Sequence, residues 1–268
     1  MGNDKENSVL SNISKNMTEN YITFPNPPIT EALIDIRVDL PKEITLDNLI
    51  VFYDEVKERF PLKEEKVHWK TGFKVSPGLG PRISEHVGGI TGYVFRSSDK
   101  TKVVQSRLDG FTFNKLKPYE DWPTFRDEAK ELWIKFLKIA KPKNTTRLAL
   151  RYINQIDIPL PFKEFNEYIL TIPEIAPGLP NALSEFLMKL VIANDEIKSK
   201  AIILETMKNV EIRNGQKVLP LIFDIDVFRL ISLDPNSEEI WNIMGTLRNF
   251  KNDIFFKSLT DKAKELFK

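Results

Sequence analysis

Two segments of this chain alternate apolar and polar side chains with a period of two over twelve residues each. That period fits a half-buried β-strand and cannot give a helix a single apolar face. In 29–40, Ala32, Ile34, Ile36, Val38 and Leu40 share one face, and Asp35, Arg37 and Asp39 share the other. In 147–158, Leu148, Leu150, Tyr152, Asn154 and Ile156 oppose Arg147, Ala149, Arg151, Ile153 and Gln155. Strands with one wet face belong to antiparallel sheets covered on one side only.

The rest of the chain reads consistently with this. Thr45 caps a helix to about Phe60, with Leu46, Leu49, Ile50, Tyr53, Val56 and Phe60 at helical spacing and Pro61 as its stop. Ile90–Arg96 and Lys102–Leu108 form a hairpin, and Asp109-Gly110 turns into Phe111-Thr112-Phe113. Trp122-Pro123 opens a helix whose stripe is Phe125, Ala129, Leu132, Trp133, Phe136, Leu137 and Ala140. Residues 183–193 are ambiguous between strand and helix. Lys200–Lys208 and Val218–Phe228 are strands around an Asn214-Gly215 turn, and Asp234-Pro235-Asn236-Ser237 opens a last long helix. The expected class is α+β: antiparallel meanders, each packed on long amphipathic helices, with a distant two-half duplication suggested by the repeated order of elements. The expected organisation is a polar flexible arm over 1–20, an N-terminal half over 21–161, a Pro-rich connector over 162–182 and a C-terminal half over 183–268.

Composition removes several chemistries. There is no cysteine, so there is no disulfide, thiolate nucleophile or Cys-ligated metal, which suits a reducing cytoplasm. A net charge of +1 supplies no global field to gather nucleic acid. No run approaches the ~20 apolar residues of a membrane span, and the first residues lack the apolar stretch of a secretory signal. Gly78-Leu79-Gly80 and Gly88-Gly89 match no phosphate-binding fingerprint, so no cofactor is expected. With two histidines, His68 and His86, a three-histidine metal site is impossible; either alone is a general base only in a suitable cleft.

The sharpest polar pattern is Arg147 and Arg151 on one strand face, where guanidinium forks can grip a phosphate or carboxylate. Gln105, Arg107 and Asp109 alternate in the same way. The plain alternative is cross-strand ion pairing on a half-solvated sheet. Asp224 and Asp226 form a D-x-D that can hold Mg²⁺ or Mn²⁺, a weak metal signal that arises in any strand with one wet face. Asp195-Glu196-Ile197-Lys198 contains an E-x-K but reads as a solvated turn. Tyr93, Phe95, Phe111, Phe113, Tyr119 and Trp122 fit a sheet–helix interface better than a base-stacking platform.

Several strings occur together in order: Pro27-Pro28-Ile29-Thr30-Glu31-Ala32-Leu33; Gln105-Ser106-Arg107-Leu108-Asp109-Gly110-Phe111; Pro118-Tyr119 and Trp122; Leu150-Arg151-Tyr152-Ile153-Asn154; Asp224-Ile225-Asp226; and Phe255-Phe256-Lys257-Ser258-Leu259-Thr260-Asp261. In these the chain resembles, over about residues 24–268, a sporadically distributed prokaryotic family of uncharacterised proteins of similar length. The resemblance implies no activity, cofactor or catalytic residue. The patchy distribution of such a family points to accessory or mobile genes, including defence or toxin–antitoxin modules. Arg107, Arg151 and Asn154 are the matching residues that local geometry does not explain.

The leading expectation is a non-enzymatic binding or accessory protein that uses a sheet surface to meet a protein partner or a second copy of itself. The alternative is an enzyme or binder of a phosphorylated or nucleotide-like ligand, with Arg107, Asp109, Arg147, Arg151 and Asn154 as the binding candidates and Asp224 and Asp226 as weak metal candidates.

Overall fold

The computed structural model describes residues 21–76, 79–179 and 183–268, and for 68–76 and 79–87 the course of the backbone alone. The expected arm over 1–20, residues 77–78, the end of the expected connector at 180–182 and the side chains of His68 and His86 lie outside the described residues. The described chain is mostly antiparallel strand with fewer helical residues, an α+β arrangement. It divides into two compact units. The first is Glu31–Ala149 with Leu230–Ile240; the second is the described part of the first thirty residues with Leu150–Arg229 and Trp241–Lys268.

In the first unit the strand order is β2-β3-β4-β5-β1-β6, with β1 Ile29–Asp39, β2 Leu62–Ser76, β3 Leu79–Arg96, β4 Lys102–Arg107, β5 Gly110–Leu116 and β6 Asn144–Pro159. The expected hairpin closes where the Ser97 N–H donates to the Lys102 carbonyl at 3.0 Å. The sequence reads the Gly/Pro-rich segment Ser76–Arg82 and the Gly-flanked His86 as loop, but β2 runs to Ser76 and β3 begins at Leu79, so Leu79–Arg82 and the backbone at His86 are strand. Leu46–Leu49 (α1), Phe52–Val56 (α2) and Trp122–Ala140 (α3) cover one face of the sheet. The single helix expected from Thr45 to Phe60 is instead two short ones. Val51 donates to the Asn48 carbonyl and Tyr53 to that of Ile50, and these i to i+3 bonds tighten the chain between α1 and α2.

α3 starts where the Asp121 side chain accepts from the Thr124 N–H at 2.8 Å, with Pro123 in the first turn. It stops at Lys141, whose φ of 42° lies in the left-handed region. Its buried stripe meets the sheet through aromatic pairs: Phe111 with Trp133 at 5.7 Å and Phe113 with Phe125 at 5.4 Å between centroids, while Phe52 of α2 meets Phe136 at 6.2 Å. Tyr93 and Phe95 stack on this same side with Tyr53, so the aromatics fill the interface of sheet and helices. Truncating any one of the fully buried rings costs about 3–5 kcal/mol.

In the second unit the order is β6-β10-β8-β7, with β7 Leu187–Asn194, β8 Ser199–Met207 and β10 Gln216–Leu233; β9, Glu211–Arg213, pairs with β10. The ambiguous stretch 183–193 is thus strand from Leu187 onward, and 183–186 is irregular. Asn214 and Gly215, with φ of 51° and 78°, turn β9 into β10. Asp195–Lys198 is the tight turn from β7 to β8, and the Lys198 N–H donates to the Asp195 carbonyl. Glu239–Ser258 (α4) stacks Phe255 on Phe223 of β10, and Thr260 caps Asp261–Glu265 (α5) by accepting from the Ala263 N–H. Three of the five described α-helices have only four or five residues, which corrects the expectation of long amphipathic helices throughout; α3 and α4, at 19 and 20 residues, are the exceptions.

Candidate anion-binding site

On the face of the first unit's sheet away from the helices, the strand register lines up side chains in rows. One row is Lys66 of β2, Gly92 of β3, Arg107 of β4, Gly110 of β5 and Arg37 of β1. The next is Glu64, Val94, Gln105, Thr112 and Asp35. Cations and glycines therefore alternate across five strands. Both glycines are required where they stand: a Cβ on Gly92 would lie 2.4 Å from the Ser106 carbonyl oxygen, and one on Gly110 2.2 Å from that of Ile36. They are also the low points of the row. Lys66 passes across β3 to donate to Gln105 Oε1 at 2.6 Å, and Arg107 passes across β5 to Asp35.

Asp35 is the hub. Arg107 donates from Nη2 to Asp35 Oδ2 at 2.7 Å, from Nε to Asp109 Oδ1 at 2.9 Å and from Nη1 to Thr112 Oγ1. The Thr112 hydroxyl donates to Asp35 Oδ2 at 3.0 Å. Arg37 donates from Nε to Asp35 Oδ1 at 2.9 Å and pairs with Asp109; Arg147 reaches Asp35 Oδ1 at 3.2 Å. The side chains of Arg107 and Asp35 are 5% and 7% exposed, whereas Asp109 and Arg37 face solvent in part. Burial alone would raise the Asp35 pKa. The charges of Arg107 and Arg37, with their hydrogen bonds, outweigh it and hold the carboxyl below its ordinary value. Arg107 is pulled down by burial despite Asp35.

Lys66 is the odd member. No carboxylate among the described residues pairs with it. Burial and then the charges of Arg107 and Arg37 push its amine below the ordinary lysine value, with Asp35 opposing weakly. Two guanidiniums repel an ammonium whose side-chain hydrogen-bond partner among the described residues is the neutral amide of Gln105, so the described side chains leave a positive corner that an oxyanion would stabilise.

The sequence candidates divide as follows. Arg107 and Arg147 converge on Asp35, and Asp109 pairs with Arg107 and Arg37 beside it. Arg151 belongs to the second unit, where its fork holds both oxygens of Asp224, from Nε at 2.8 Å and from Nη2. Asp224 is thus engaged by a guanidinium, and among the described residues no three His, Asp or Glu side chains cluster to hold a metal ion. Asp226 also has a partner. Asn154 lies on the helix-covered face, donating to the Phe223 carbonyl at 2.9 Å, and takes no part in a polar surface. Asp35, Arg37 and Lys66 were missed. The first two were legible as the polar face of β1; Lys66 needed the register of β2 against β3, which an irregularity between Lys66 and Val67 obscures.

No protein-family model matches the chain, and no curated protein matches its sequence. No helix among the described residues is long and apolar enough to cross a membrane.

Proposed function

We propose that this is a non-enzymatic cytoplasmic binding protein, and that the polar sheet face of its first unit takes up an oxyanion, a phosphate or carboxylate presented by a small ligand or a partner. The observation that carries the reading is the position of Lys66, an amine set beside Arg107 and Arg37 with no carboxylate partner among the described residues. Ion pairing of the ordinary cross-strand kind accounts for Asp35, Asp109 and their arginines; it leaves Lys66 over. Calorimetric titration with sulfate and inorganic phosphate tests the proposal. Saturable binding that weakens in Arg37→Gln is expected. A wild-type protein that binds neither anion at low ionic strength overturns it.

A second reading rests on a different observation. β7 ends the strand order of the second unit and exposes Leu187 and Val191, 72% and 60% accessible, with Lys189 as its single charge. An edge that carries one charge and is terminal among the described strands favours pairing with another strand. The reading predicts self-association or partner capture that Val191→Lys abolishes, and a monomer at all concentrations with no captured partner removes it.

A further inference from the structure

We infer that Lys66 is the residue that contacts the bound oxyanion, and that the charge on its amine gates binding. The inference rests on the oxyanion reading above and adds which group grips the ligand and how pH controls it. Arg107 is not the principal contact, because its side chain is almost wholly buried and three of its five N–H donors already engage Asp109, Thr112 and Asp35. Arg37 divides its donors between Asp35 and Asp109. Lys66 has three N–H donors and uses one on Gln105 Oε1. It is half-buried on a row flanked by Gly92, so an oxyanion can reach the amine without displacing a side chain from β3.

The groups acting on Lys66 among the described residues are Arg107 and Arg37, which disfavour its charge, and Asp35, which favours it less strongly. Its neighbour in the next row, Glu64, turns to Arg96 at 3.4 Å. An arriving oxyanion reverses this balance and favours the ammonium, so binding is strongest while Lys66 is protonated. Affinity therefore falls as pH rises through a value below the ordinary 10.5.

Sulfate is the probe, because its charge does not change over this range. Titration of the full chain by calorimetry at constant ionic strength, from neutrality to pH 10.5, is expected to show progressive loss of affinity. Lys66→Gln weakens sulfate binding about tenfold at neutral pH and removes the pH dependence. Lys66→Arg, which keeps its charge throughout, restores binding and makes it insensitive to pH. Wild-type binding that is flat with pH, or a Lys66→Gln protein that is folded by circular dichroism and binds like wild type, overturns the inference and leaves the oxyanion reading standing. A wild type that binds neither sulfate nor inorganic phosphate at low ionic strength removes the reading itself.

Discussion

The two units bury polar groups by opposite means. In the first, Asp35 is surrounded by Arg107, Arg37, Arg147 and the Thr112 hydroxyl, so a buried charge is matched by charges and donors. In the second, Glu205 of β8 is 1% exposed and neither of its oxygens has a partner among the described residues. The register places it between Phe223 and Met188 on the helix-covered side. Lys251 of α4, 9% exposed, lies with its Nζ 3.9 Å from the centroid of the Tyr152 ring and pairs with no carboxylate among the described residues. Burial alone pushes Glu205 up to about 8, and burial followed by the charge of Arg248 pushes Lys251 down to about 7. The first unit neutralises charge by pairing; the second does so by titration.

The largest expected effect comes from breaking the pairing. Arg107→Ala leaves Asp35 buried with its main counter-charge gone and costs about 3–5 kcal/mol in denaturant unfolding. The double variant Arg107→Met with Asp35→Leu recovers much of that loss, because it removes the stranded charge as well as its partner. A single variant with wild-type stability would mean that Arg37 and Arg147 suffice for Asp35.

Glu205 gives the next effect, and its sign is opposite to that of a paired carboxylate. Its folded pKa lies above the ordinary 4.5, so between about 4.5 and 8 the folded state holds a proton that the unfolded state releases. Stability attributable to this group is complete at the acid end and falls as pH rises, by up to ~1.4 kcal/mol per unit in that window. Glu205→Leu is expected to raise stability at pH 8 by a few kcal/mol, about 2–4, and to flatten the profile. A variant that keeps the wild-type slope would place the titration elsewhere.

These features also mark what the sequence made legible. Period-two alternation located β1 and β6, and with them the polar face that carries Asp35, Arg37, Arg147 and Arg151. It showed that Arg107 and Asp109 share a side. It could not show that β5 and β1 stand between β4 and β6, and so could not reveal Asp35 as the group on which Arg107 and Arg147 meet. Glu205 was hidden for a different reason. In Ser199–Met207 it holds a position in the apolar phase with Ala201 and Ile203, and a charged residue in that phase reads as the end of a strand's buried face. Only the pairing with Phe223 and Met188 places it inside.

Lys251 supplies the mirror of Glu205. Its folded pKa lies below the ordinary 10.5, so between about 7 and 10.5 the unfolded state holds more protons and stability rises with pH. The two groups together put the weakest point of the second unit near pH 7–8, at the end of one window and the start of the other. Lys251→Met keeps the volume and the contact with Tyr152, removes the rise, and adds about 1–2 kcal/mol at pH 7. Unfolding followed at matched denaturant from pH 6 to 10 reads this directly, and a rise that persists in the variant would assign it to other lysines.

The smallest effect decides whether the contrast is one of units or one of burial. The second unit has a bidentate pair of its own, Arg151 with Asp224, but the Arg151 side chain is 40% exposed where that of Arg107 is 5% exposed. Arg151→Lys replaces a planar fork by a point charge yet leaves Asp224 with a cation and with water, so a loss of about 1 kcal/mol or less is expected. Arg107→Lys makes the same exchange beside Asp35 and Thr112, which are 5% and 3% exposed and so poorly placed to replace lost donors with water, and should cost about 2 kcal/mol or more. If the two substitutions cost the same, solvent access is not what separates the pairs. The distinction between a unit that pairs its buried charges and one that discharges them would then rest on Glu205 and Lys251 alone.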